Sequence, residues 1–220
     1  MFLIFDTETT GLPRNWNAPL TDADNWPRCI QIAWQLHDND GSCLFHEDYL
    51  VVPNGFVIPY DAEKIHGIST ALALEEGISL AEVLEKFQQA IAQCEFIGGH
   101  NVGFDLNIMG AEFLRLGDEN PLENFPIIDT CTEETATLCQ LPGGRGGKFK
   151  LPTLSELHHH LFEAPFEEAH NATADVEATT RCFFELFRKG LIRPEALKNR
   201  EDILQHLTEV LDEPVKGIGL

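Results

Sequence analysis

Basic side chains are scarce in this chain of 220 residues: 15 Lys and Arg face 36 Asp and Glu, a formal net charge of −21. Duplex nucleic acid is gripped mainly through neutralised phosphates, so this balance argues against a stand-alone duplex binder. It leaves open a site whose positive charge is brought by metal ions. No stretch approaches the roughly 20 apolar residues of a membrane-spanning helix, so no membrane partner is expected. The opening MFLIFDTETT lacks a basic stretch and meets carboxylates at once, which reads as no signal peptide. The six cysteines (Cys29, Cys43, Cys94, Cys131, Cys139, Cys182) form no CxxC pair. Neither a disulfide framework nor a clustered zinc site fits them, and a reducing cytoplasm is the expected setting. A phosphate-cradling P-loop is missing too. In the segment ending Gly147-Lys148, Pro142 stands where the first glycine is required and Phe149 takes the Ser/Thr place.

An apolar share of 43% is enough for one domain with a real core. Phe2-Leu3-Ile4-Phe5 reads as a buried strand. Two strand-like runs, Cys29 to Leu36 and Cys43 to Val52, flank the turn cluster Asp38 to Gly41 and predict a hairpin. Pro53 to Pro59 reads as a loop. Ser79 caps a helix through Gln93, whose Leu80, Val83, Leu84, Phe87 and Ile91 form one stripe. Short strands follow at Glu95 to Gly99 and Phe125 to Asp129, and helices at Asp105 to Leu116, up to about Leu141, at Thr153 to Leu161 and at Thr173 to Lys189. Strands first, then strands alternating with helices, predict an α/β domain: a mixed sheet flanked by helices.

Asp6 and Glu8 stand two apart on the first strand, so their carboxylates share one face. Crowded like charges are costly unless a cation lies between them. A strand end leaving into solvent is the plain alternative. Two later segments add acids at helix starts: Gly98-Gly99-His100-Asn101-Val102-Gly103-Phe104-Asp105 and His170-Asn171-Ala172-Thr173-Ala174-Asp175. Either acid alone is accounted for by the helix dipole.

Taken in order, the three segments resemble the Exo I, Exo II and Exo III motifs of the DEDDh 3′→5′ exonucleases, the family of the polymerase III epsilon subunit. Phe5-Asp6-Thr7-Glu8-Thr9-Thr10-Gly11-Leu12 is similar to the first, the second fits HNxxFD and the third HxxxxD. The resemblance covers roughly residues 1–190 and implies an RNase H-like fold with a five-stranded mixed sheet and helices on both sides. It implies that Asp6, Glu8, Asp105 and Asp175 hold two divalent cations, Mg²⁺ or Mn²⁺, suited to carboxylate oxygens. Two such ions roughly 4 Å apart serve in-line displacement at phosphorus. His170 would activate the attacking water, for which an ordinary histidine pKa of about 6.5 is suitable.

The resemblance extends to substrate contacts. Thr9 and Gly11 would meet the terminal nucleotide through backbone, Leu12 would wedge beside the last base, and Asn101 belongs to the second motif. His66, in Ile65-His66-Gly67-Ile68-Ser69, would lie near the terminal nucleotide or serve as a plain helix-end histidine. Phe104 would stack on the substrate or belong to the core. The implied activity is removal of nucleoside 5′-monophosphates from single-stranded or frayed DNA 3′ ends, as proofreading beside a polymerase III α chain in cis or in trans. RNA trimming and a catalytically silent scaffold are the rival readings.

Three features carry less. Arg145, Lys148 and Lys150 sit in a glycine-rich loop that would touch phosphate or stay solvated. His158-His159-His160 point in different directions on a helix and are read as surface and groove residues, not a chelate. Residues 191–220, with Ile203, Leu207 and Leu211 on one helical face, form a helical extension that packs on the domain or links to a following one.

Overall fold

The computed structural model of the chain describes residues 1–164 and 171–210. Five strands form one mixed sheet in the order β3-β2-β1-β4-β5. β1 (Phe2–Thr9) runs antiparallel to β2 (Cys29–His37), and β2 runs antiparallel to β3 (Cys43–Leu50). β4 (Phe96–Gly99) and β5 (Ile127–Asp129) continue the sheet in parallel with β1. The β2–β3 turn is closed by Asp38, whose Oδ1 accepts from the N–H groups of Asp40 and Ser42.

β1 separates the two halves of the core. Leu3 and Phe5 pack with α3 (Leu80–Ile91) and α4 (Gly103–Leu116), whereas Phe2 and Ile4 pack with α6 (Leu154–Phe162), α7 (Ala172–Arg188) and α8 (Glu201–Val210). Alternation along the strand then carries Thr7 to the α4 side and Asp6 and Glu8 to the α7 side. β2 is buried at all nine positions because helices cover both its faces, while the edge strand β3 alternates with solvent.

Capping defines the helix starts. Ser79 and Glu82 form a reciprocal capping box at α3, and Thr153 and Glu156 form another at α6. Asn171 caps α7 by accepting from Thr173 and Ala174 N–H. Two glycines end β4 because both sheet faces are crowded there. A Cβ on Gly98 would lie 2.9 Å from Phe183 Cε2, and one on Gly99 would lie 2.6 Å from Val102.

Several elements differ from expectation. Residues after Pro59 form α1 (Tyr60–His66) and α2 (Thr70–Glu76), each only seven residues long and too short for a periodic signal. α4 starts at Gly103, two residues earlier than expected. α5 (Glu133–Cys139) ends at Gln140 in left-handed backbone, and Arg145–Gly147 forms a 3-10 turn. His158 is not a surface residue. Its neighbours Leu157 and Leu161 turn it inward, where a ring nitrogen pairs with Ala164 O at 3.0 Å and the ring packs on Phe162. Beyond α7, Ile192, Leu197, Ile203 and Leu207 are buried in the same cluster as Phe183 and Phe187. Leu211 and residues 212–220 lie outside the described residues.

α4 is fixed to the sheet by a fully buried acid. Glu112 accepts from Arg28 Nε at 2.9 Å and from Cys29 N–H at 2.9 Å, and pairs with Arg115 at 3.1 Å. Two turns earlier on the same inward face stands Asp105. Removing one partner from a buried ion pair costs several kcal/mol. Glu112→Ala is therefore expected to destabilise the chain by roughly 3 kcal/mol, the low end of that range, because Arg28 retains a route to water. Denaturant midpoints will measure it, with Glu112→Gln falling between the two.

Candidate active site

Three carboxylates converge where β1 meets the start of α7. Ligand oxygens of Asp6, Glu8 and Asp175 all lie within 4.8 Å of one another, and all three side chains are half-buried. Asp6 and Glu8 arrive there by strand alternation, and Asp175 from the first turn of α7. The fourth acid, Asp105, stands beside this trio in the first turn of α4. It is buried, and its Oδ1 accepts from Thr7 Oγ1 at 2.6 Å and Thr7 N–H at 3.1 Å. Thr7 points away from Asp6 and Glu8, so one strand ties both sets together. His170 lies outside the described residues.

The electrostatics are those of a site short of cations. Burial first, then the charges of Asp105, Asp175 and Glu8, push the Asp6 pKa well up. Glu8 rises to about 8 through burial and the charges of Asp175 and Asp105. Asp105 rises to about 7 because it is buried, although the Thr7 hydrogen bonds pull the other way. Among the described residues no ion pair reaches Asp6 or Glu8. Crowded carboxylate oxygens match the needs of a hard divalent cation. Helix N-termini at Asp105 and Asp175 offset part of the repulsion.

Polar ties that sequence reasoning missed hold the surrounding loops. Gln31 pairs with Glu8 in register; its amide donates to Asp48 at 2.9 Å and accepts from Ala172 N–H at 3.3 Å. Thr173 Oγ1 also donates to Asp48, so β2 and β3 grip the start of α7. Partners 125 and 141 positions apart leave no local signal. His100 bridges Thr130 and Pro152 O at 2.9 and 3.0 Å, and burial lowers its pKa to about 4. It is a neutral strut.

The expected substrate contacts are distributed around this edge. Thr9 is buried and donates to Gly11 O at 2.7 Å, while Leu12 beyond it is 73% exposed. Gly11 takes φ of +144°, a conformation open to glycine. Asn101 has φ of +58°, and its N–H donates to Asp129 at 2.8 Å. Phe104 is half-buried against the core. His66 ends α1, with Nδ1 accepting from Ile68 N–H and Nε2 buried without a hydrogen-bond partner among the described residues. In the basic loop, Lys148 pairs with Glu133 and Lys150 with Glu156 at 2.7 Å, so both ammonium groups are engaged.

A cluster of carboxylate oxygens beside the end of β1 is the kind of donor set that metal-dependent hydrolytic sites use. The RNase T family model, described as an exonuclease, matches residues 3–183, and the chain belongs to that exonuclease family. The PolC-type DNA polymerase III of Pediococcus pentosaceus is 27% identical over 208 residues, covering 94% of this chain and 13% of that protein. A polymerase III subunit epsilon-like protein of Rhodobacter capsulatus is 31% identical over 190 residues, covering 84% of this chain and 23% of that one. The chain thus spans less than a quarter of these curated relatives. E. coli Exonuclease I in complex with a dA16 oligonucleotide superposes with a TM-score of 0.65 at 21% identity, over 93% of this chain and 42% of that one. That likeness establishes the expected RNase H-like fold, and the family resemblance drawn from the three motifs holds.

A carboxylate with a raised pKa binds its proton more tightly in the folded chain, so folded stability falls as pH climbs from the ordinary value through the raised one. For Glu8 that window runs from 4.5 to about 8. In chelator the melting temperature is expected to drop across this window, and Mg²⁺ or Mn²⁺ should recover part of the loss. Asp6→Asn should raise the ion-free melting temperature at pH 8 and shrink the ion-dependent gain. An undiminished gain would mean that the ions bind elsewhere.

Proposed function

We propose that the chain is a 3′→5′ exonuclease that releases nucleoside 5′-monophosphates from single-stranded or frayed DNA 3′ ends, proofreading within a replicative polymerase assembly. The convergence of Asp6, Glu8 and Asp175 oxygens beside buried Asp105 carries this reading. Two divalent cations, Mg²⁺ or Mn²⁺, bound by these four acids would stabilise charge on the attacking and leaving oxygens at phosphorus.

The chain's own residues do the rest. Asp6 and Glu8 fix the near side of the site from a strand that cannot splay, and Asp105 and Asp175 fix it from two helix starts. His170 accepts the proton of the attacking water, a role carried by its motif. Backbone at Thr9 and Gly11 orients the terminal sugar, Leu12 lies beside the last base, and Asn101 and Phe104 line the far side. His66, by the likeness of its segment to the family's, would lie near the terminal nucleotide. Relatives named as PolC-type and epsilon-like polymerase III proteins support a polymerase III α chain as partner, in cis or in trans. Six unbridged cysteines support a cytoplasmic setting.

A 5′-labelled single-stranded DNA should shorten as a ladder with Mg²⁺ or Mn²⁺ and liberate nucleoside 5′-monophosphates. Asp6→Ala should lower the rate by roughly 100-fold or more, the effect of deleting one charge-stabilising group. Early release of the 5′ label as mononucleotide would reverse the polarity. A large preference for the matching RNA would make the enzyme an RNA trimmer. Activity that survives Asp6→Ala would point to a contaminant and favour the scaffold reading.

A further inference from the structure

Trp16 is 54% exposed, whereas the other two tryptophans, Trp26 and Trp34, are buried to 3% and 1%. An exposed indole offers a large amphipathic ring face to a ligand. The segment that presents it is not slack. Asn15 N–H donates to Asn25 Oδ1 at 2.8 Å, Asn25 Nδ2 donates back to Asn15 O at 3.0 Å, and Asn25 is itself buried. Trp26 Nε1 donates to Pro19 O at 3.1 Å, and the Arg115 guanidinium donates to Ala23 O at 3.0 Å. The loop is therefore anchored at several points while Trp16 is held outward.

The ring lies against Phe104, the residue before Asp105 at the start of α4. Its centroid is 5.8 Å from that of Phe104, with the planes tilted by 53°. Phe104 immediately precedes Asp105, and Leu12, 73% exposed, lies on the same connection between β1 and β2. Phe104 meets the indole at a tilt on one side, and about half of Trp16 remains open to solvent, room for a planar ligand. A chain with net charge −21 cannot rely on phosphate contacts for grip, and base stacking needs no charge.

Resting on the exonuclease reading, we propose that Trp16, backed by Phe104, is the stacking platform for a nucleobase within three nucleotides of the 3′ end of a single strand. The platform tolerates all four bases, since each offers a π-face. It sets affinity and the seating of the strand, and takes no part in bond breaking.

Steady-state kinetics on single-stranded oligonucleotides, intact or abasic at the last three positions, test this with wild type, Trp16→Ala and Trp16→Phe. On intact strands Trp16→Ala should raise KM about tenfold, within the range for loss of one stacked base, and leave kcat within about twofold. Trp16→Phe should recover most of the loss. On abasic strands wild type and Trp16→Ala should share one KM. Equal KM values on intact DNA, or an equal loss on abasic DNA, would overturn the proposal. A Trp16→Ala chain that keeps its KM but no longer binds the polymerase would give the indole to a protein partner instead. If wild type cuts no strand, the exonuclease reading falls, and fluorescence then decides on Trp16. Emission quenched by oligonucleotide in wild type but not in Trp16→Phe keeps the platform, and unquenched emission removes it.

Discussion

Mutual repulsion among four acids at the end of β1 is the constraint around which this fold is arranged. Carboxylates left free to move would turn apart into water. Here Asp6 and Glu8 cannot, because β2 pairs with β1 at both positions, β4 holds the strand just before them, and its pleat fixes where each side chain points. Asp105 cannot either, since Thr7 holds its oxygen and buried Glu112 pins the same helix two turns on. Burial first, then neighbouring charges, raises the pKa values of Asp6 and Glu8, and burial raises that of Asp105. A fold that maintains such a cluster has built a place where a cation is worth more than it is in water.

The topology gathers further help at the same edge. β1 and β4 run parallel, so both end beside the site, and β5 ends there too. α4 starts four residues after β4, and α5 four residues after β5, which brings positive helix ends toward the acids. The glycines at 98 and 99 let Phe183 and Val102 approach β4 from either side, so α7 lies close enough for Asp175 to reach Asp6. His100, Asp129 and Gln31 then hold the connecting loops by hydrogen bonds to backbone or to one another's neighbours. None of these three needs a charge of opposite sign, which suits a chain with few to spare.

What could be read from the sequence follows from the range of each interaction. Strand alternation placed Asp6 and Glu8 on one face, and the cap at Ser79 marked a helix start, because both effects act within a few residues. The long stripe of α3 was visible, while α1 and α2 were not, since seven residues give fewer than two full turns. His158 was misjudged because a polar ring can be buried when a carbonyl such as Ala164 O receives it, and that carbonyl is supplied by the turn beyond the helix. The Gln31–Asp48–Thr173 tie escaped for a related reason: its members meet only after the sheet and α7 have packed.

Charge poses the remaining question, which is how so acidic a body would hold an anionic strand. The glycine-rich loop is the obvious source of phosphate contacts, with three of the chain's 15 basic residues inside six positions. Yet Lys148 and Lys150 already answer Glu133 and Glu156, so drawing either toward phosphate means breaking an ion pair first. Such exposed pairs are weak, worth about 1 kcal/mol or less, but the exchange returns little net attraction because it frees an acid beside the strand. Grip on the strand must then come from terms that do not depend on surface cations. On the proposed reading, ions between the four carboxylates would supply one, an aromatic face at Trp16 another, and attachment to a partner a third. On the proposed reading, attachment raises the local concentration of DNA ends to the millimolar range, so even a weak intrinsic grip suffices. On that reading the acidity that weakens free-standing binding would also limit how long a strand is held, which suits an enzyme acting on ends delivered to it.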